Sequence, residues 1–206
     1  YIIKSLKFYS TNELSIKILN RSLEYNWIIN NNKKKLDREM IITEPNSSLS
    51  KTLIKKWGNK QFHTLKIYTG STDSSGAFIE WCHKNFGIKE CIIAANEYNL
   101  SFNPDEIKKL PINISFAILD DNKMMHAKAY IFEGDNEICA ITGSANCSRK
   151  AWLMSPEKGG NVEAILLHDN LHKDDLNELL SKFPKDYSNI DDVKLNHKQE
   201  NINNEN

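Results

Sequence analysis

The feature that most limits what this chain can fold into is the alternation across residues 125–133. Met125, Ala127, Ala129 and Ile131 are apolar, and His126, Lys128 and Tyr130 between them carry polar groups. Period-two alternation of this length predicts a strand with one face on a core. Side chains at i and i+2 share a face, so His126 and Lys128 are expected side by side, turned away from the apolar layer. An imidazole beside an ammonium suits an anionic centre: the lysine holds charge, and a neutral histidine attacks or shuttles protons. A second short strand is expected over residues 137–142, running into Gly143, Ser144, Ala145 and Asn146. A turn within residues 133–136 lets the two strands pair antiparallel, which brings the Ser144 hydroxyl and Asn146 amide toward the first polar set.

Upstream the pattern changes to strand, helix, strand. Residues 65–69 read as a strand, Asp73 to Ser75 as a cap, Phe78, Ile79 and Trp81 as one helix face, and residues 88–95 as a strand buried on both faces. That order implies a β-α-β unit with parallel strands. Residues 70–76 then lie at a strand's carboxyl end, where α/β ligand sites gather. The lysine of a phosphate-binding P-loop is missing there, so a loop with a cap is the better reading.

Further strands are expected at residues 40–43, 114–119 and 161–167. Short helices are expected at residues 103–110, and at 149–153 behind Ser148 as cap, with the amide end of the latter facing the polar cluster. A helix with Leu49, Leu53, Ile54 and Trp57 follows Ser47 or Ser48, either a plausible cap. A final helix is expected to carry Leu171, Leu176, Leu179, Leu180 and Phe183. Residues 1–35 read as an amphipathic helical arm with a polar connector at 30–35, residues 36–187 as the main domain, and residues 188–206 as a disordered, Asn-rich tail.

His126-Ala127-Lys128, then Gly143-Ser144 with Asn146, then Asn161-Val162-Glu163, resemble the phospholipase D superfamily. Its repeat reads H-x-K, four residues and Asp, then G-S-x-N, with N-x-E downstream. Two departures stand out. Glu133 occupies the place of the Asp, and the interval to Gly143 is three residues longer. Whether Glu133 or Asp135 replaces that Asp stays open.

The resemblance implies a phospholipase D-like α-β-α sandwich, an α/β fold with a mixed central sheet. It also implies a catalytic set of His126, Lys128, Ser144, Asn146 and Glu163, with Asn161 beside it. Two H-x-K motifs meet at one site in that family. One histidine forms a phosphohistidine, and the other protonates the leaving group and then activates water. Lys128 and Asn146 would clamp the non-bridging oxygens, Ser144 would support them, and Glu163 would orient His126. The scheme needs no cofactor and no divalent metal. This chain carries one H-x-K, so the second half is expected from a homodimer partner or from an upstream segment. The start at Tyr1 rather than Met leaves room for a larger parent.

Among 206 residues, 27 Lys and Arg balance 27 Asp and Glu, which excludes a strongly basic nucleic-acid glove but not a local groove. Lys33, Lys34, Lys35, Arg149 and Lys150 are the candidate phosphate contacts. No apolar run approaches a membrane span and no signal-peptide pattern opens the chain, so a cytoplasmic protein without membrane contact is expected. Cys82, Cys91, Cys139 and Cys147 form no C-x-x-C pair and read as buried thiols. His168 and His172 have the spacing of a helical zinc pair, but Asp169 stands where H-E-x-x-H has Glu. The expected activity is a metal-independent nuclease. The alternative is a catalytically inactive module that binds nucleic acid or a partner within a larger helicase- or restriction-like protein.

Overall fold

The computed structural model describes residues 38–119, 127–171, 176, 183 and 186–193. Seven strands form one mixed sheet: β1 (Arg38–Ile42), β2 (Thr64–Tyr68), β3 (Glu90–Ala95), β4 (Asn113–Ile118), β5 (Ala129–Glu133), β6 (Ile138–Gly143) and β7 (Ala164–Leu171). Their order across the sheet is β1-β7-β6-β5-β2-β3-β4. β2, β3 and β4 run parallel, while β1, β7, β6, β5 and β2 pair antiparallel in that sequence. The β-α-β unit and the hairpin of β5 and β6 are as the sequence predicts.

The described helices are α1 (Leu49–Trp57), α2 (Ala77–Phe86), α3 (Pro104–Lys108) and α4 (Arg149–Trp152). They share one core with the same face of the sheet. Leu53, Trp57, Phe78, Phe86, Ile107 and Trp152 pack there with Leu65, Ile93, Phe116, Tyr130 and Phe132. Trp57 meets Phe132 edge-on at 5.3 Å, and Phe78 stacks on Trp152 at 4.3 Å. On the opposite face, Phe183 closes over Tyr68, Ile92 and Ala129, and Leu176 over Ile131 and Ala140.

Several expectations change. Strand β5 is buried on both faces, because central strands of a covered sheet have no solvent side; the polar face of the alternation, at Tyr130, packs on the larger core. The helix start at α2 is made by Gly76 in a left-handed conformation, with Asp73 and Ser75 bracing the turn before it. Asn161 and Glu163 precede β7 rather than lying in it, and β7 runs on through Leu171, so Leu171 is not helical. Past Ser188 the chain remains packed as far as Val193. Ser188 bridges Phe116 of β4, and Ile190 and Val193 enter the main core. The arm and connector of residues 1–35, and most of the last helix, lie outside the described residues. No helix among the described residues is long and apolar enough to cross a membrane.

Candidate active site

One end of the sheet collects the polar motifs. β5 and β7 begin there, and β1, β2, β3, β4 and β6 end there. Lys128 sits immediately before β5, and its carbonyl accepts from Gly143 N at 3.2 Å. Gly143 closes β6 at φ +155, and a Cβ on it would come within 2.3 Å of the Ala164 carbonyl oxygen. Only glycine lets the ends of β6 and β7 approach this closely. Ser144 is thereby set against Ala164: Ser144 N donates to Ala164 O at 2.9 Å, and Ala164 N donates to Ser144 Oγ at 2.9 Å.

Glu163 is the hub. It is 6% exposed. Ser144 Oγ donates to its Oε2, and Asn161 Nδ2 donates to its Oε1 at 3.0 Å. Its backbone is clamped by Thr43 at the end of β1: Thr43 Oγ1 donates to Glu163 O at 3.0 Å and accepts from Glu163 N at 2.9 Å. Lys128 is 7% exposed. Burial pushes its ammonium below the ordinary lysine value, and the nearby Glu163 carboxylate opposes that shift.

The turn after Ser144 is pinned from three sides. Tyr130 OH donates to Ala145 O at 2.8 Å and accepts from Trp152 Nε1 at 3.2 Å. Cys147 N donates to Thr69 Oγ1 at 3.0 Å, and Ser148 N donates to Asn146 O at 2.8 Å. These backbone groups are satisfied, while Asn146 Oδ1 is buried without a hydrogen-bond partner. An orphaned buried polar atom costs about 1–3 kcal/mol, and such atoms in native folds call for a ligand or water. Rotating the amide presents a donor at the same place, as an anionic ligand requires.

Lys128, Ser144, Asn146, Asn161 and Glu163 therefore converge from three strand ends. His126 lies outside the described residues. Arg149 and Lys150 are exposed on α4, which abuts the same corner through Asn161 N donating to Lys150 O at 2.9 Å. The amide end of α4 is not left for an anion: Arg149 N donates to Asp73 Oδ2 and Ala151 N to Ser148 Oγ at 3.3 Å. Asp73 supplies the negative charge itself.

Glu133 lies at the far end of β5, about 17 Å from Lys128 along an extended strand, and accepts from Lys66 at 2.8 Å. Asp135 is nearly fully exposed near His63. Neither acid reaches the cluster. His168 stands in β7, on a strand rather than a helix, with Nε2 at 3.2 Å from Thr142 Oγ1; Asp169 accepts from Trp57 Nε1 at 2.7 Å. The zinc pair lacks the helix it needs, and His172 is outside the described residues. All four cysteines are buried and free, and burial raises each thiol, Cys139 to about 11. The sequence reading missed Thr43 and Thr69, which hold the site from just past the ends of β1 and β2, and it read Asp73 only as a cap, not as the acceptor for Arg149 N.

Compared by sequence, no protein-family model and no curated protein matches the chain. Compared by structure, it is similar to yeast tyrosyl-DNA phosphodiesterase, with a TM-score of 0.52 and 15% identity over 84% of this chain and 54% of that one. The chain thus spans about half of that protein's length. Nuc from Salmonella typhimurium, a phospholipase D family member, aligns at a TM-score of 0.45 and 16% identity over 70% of this chain and 91% of that one. NucT from Helicobacter pylori aligns at 0.40 and 18% over 70% and 92%. The fold is an α/β architecture on a mixed sheet, shared with yeast tyrosyl-DNA phosphodiesterase.

Proposed function

We propose that this chain is a phosphodiesterase of the phospholipase D type, hydrolysing nucleic-acid phosphodiester bonds without a divalent metal. The observation that carries this reading is the Glu163 hub: a buried carboxylate bonded to Ser144 and Asn161, with the buried Lys128 ammonium close by. In this mechanism His126 attacks phosphorus, forming a P–N bond. A second histidine protonates the departing alkoxide as the P–O bond breaks. The same second histidine then takes a proton from water, whose oxygen displaces His126 and regenerates the free ring. Such covalent catalysis replaces one hard displacement with two easier ones. Lys128 and the Asn146 amide hold the non-bridging oxygens as charge builds on the five-coordinate phosphorus. Glu163 keeps Ser144 and Asn161 in register with them and stands ready to orient the His126 ring.

The second H-x-K comes from a twofold-related copy, the commonest symmetry of homo-oligomers, or from an upstream half. The similarity to yeast tyrosyl-DNA phosphodiesterase, at 15% identity, supports a phosphodiester substrate by analogy of fold.

The test is cleavage of single-stranded DNA by the purified chain with and without EDTA. Acid-labile phosphoramidate is sought after rapid quenching. Wild type is expected to cleave equally in both conditions and to trap phosphohistidine; His126→Asn is expected to do neither. Activity lost on chelation and restored by zinc or magnesium, or full activity in a folded His126→Asn protein, overturns the mechanism. Salt-dependent binding with no turnover would instead favour an inactive nucleic-acid-binding module.

A further inference from the structure

Among the described residues, three large hydrophobic side chains are exposed: Tyr98 at 68%, Val162 at 53% and Tyr187 at 48%. Isolated exposed apolar residues are ordinary. Here the positions are not scattered, because Tyr98 and Val162 both stand at the sheet end that carries Lys128. Tyr98 is in the 3-10 turn Glu97–Asn99 that follows β3, and Val162 lies between Asn161 and Glu163 before β7. In the strand order β7-β6-β5-β2-β3, each is two strands from β5, on opposite sides. Two strand spacings are about 10 Å.

The turn that carries Tyr98 is coupled to the site through backbone contacts. Asn99 N donates to Asn96 O at 2.9 Å and Leu100 N to Glu97 O at 3.1 Å, closing the turn. Buried Asn96 and Leu100 anchor it on both sides. Thr72 N then donates to Asn99 O at 3.1 Å, and Ser101 N to Thr72 Oγ1 at 2.8 Å. Thr72 in turn bridges Cys147, the residue after Asn146. Two backbone contacts thus connect the Tyr98 turn to the turn whose Asn146 oxygen is orphaned.

We infer that Tyr98 is a stacking platform for a base of single-stranded nucleic acid, placed to receive a nucleotide beside the scissile phosphate. The inference rests on the phosphodiesterase reading for the identity of that phosphate. A base needs an exposed flat ring that is already ordered. An exposed aromatic side chain on a turn whose backbone is anchored meets the first need, and the fixed backbone limits the freedom lost when the base arrives. Duplex DNA keeps its bases stacked on one another, so the platform selects unpaired strands.

The experiment measures equilibrium binding of a fluorescein-labelled single-stranded oligonucleotide to the full chain, over a salt series. A second oligonucleotide carries abasic sites in place of its central bases. Tyr98→Ala is expected to weaken binding of the intact strand about 5- to 150-fold, the equivalent of ~1–3 kcal/mol per stacked base. The slope of log Kd against log salt should not change, because no phosphate contact is lost. Binding of the abasic strand should be the same for wild type and Tyr98→Ala. Tyr98→Phe should bind like wild type.

Unchanged affinity in a folded Tyr98→Ala protein, or an equal loss on intact and abasic strands, overturns the platform. So does a wild type that binds duplex as tightly as single strand. Binding is read without turnover. A wild type that binds with the Tyr98 signature yet cleaves nothing defeats the catalytic reading alone. One that cleaves with no Tyr98 effect defeats the stacking inference alone.

Discussion

Lys128 shows how one side chain answers to two environments. In the proposed reaction its ammonium is needed as a charge, yet it is 7% exposed. Burial lowers its affinity for a proton from the ordinary value of 10.5, with Glu163 acting the other way. The unfolded chain therefore holds the Lys128 proton to higher pH than the folded chain does. In the window just below 10.5 the unfolded state binds more protons, so this group's contribution to stability rises with pH there. Below the folded value the buried charge is a constant cost. Wild type is accordingly expected to gain on Lys128→Met in urea unfolding as pH rises from neutrality toward 10.5. A stability difference between the two that stays flat over that range counts against a buried cation. In the proposed reaction the same substitution should lower kcat by about 10²–10³-fold, the usual effect of removing one preorganised donor from developing charge.

At the scale of elements, the legible parts of the site were those written locally. The alternation at residues 125–133 gave the hairpin. Gly143, Ser144 and Asn146 gave its end, and Asn161 with Glu163 the segment that meets it. What stayed hidden depends on partners far along the chain. Thr43 clamps Glu163 across 120 residues, and Thr69 holds Cys147 across 78. No local spacing reports such contacts. The second buried face of β5 was hidden for a similar reason: alternation records which side chains share a face, not how many layers cover the sheet. The zinc-like spacing at His168 failed because a strand, with a bulge and Asn170 at φ +52, occupies that stretch.

The junction of β6 and β7 gives this scale its prediction. Gly143→Ala would push Cβ to 2.8 Å from Ile165 Cα as well as against the Ala164 oxygen. Both obstacles are backbone, so the strand ends must separate and carry Ser144 away from Glu163. A destabilisation of about 2 kcal/mol or more is expected, well above the ±0.5 typical of a surface change, with loss of activity in whatever remains folded. Denaturant unfolding checks it, and a Gly143→Ala protein of wild-type stability would mean that the ends of β6 and β7 are not in close contact.

At the scale of the whole molecule, the proposed reaction turns on the number of H-x-K motifs brought to one phosphate. The chain holds one, at His126 and Lys128. If two copies complete the site, activity per chain must depend on concentration, because a dilute monomer lacks its proton donor. Specific activity is then expected to climb with enzyme concentration and level off, and the rise should coincide with the shift from monomer to dimer mass in the same dilution series. Mass action fixes the shape: half of the maximal activity falls where half of the chains are paired. Constant specific activity where the mass is that of a monomer would show that one motif suffices and would end the composite-site proposal. Inactivity at every concentration, reversed by adding a separate H-x-K half, would instead identify the missing partner as another segment. The zero net charge of the chain fits pairing of like with like, since no strong self-repulsion opposes it.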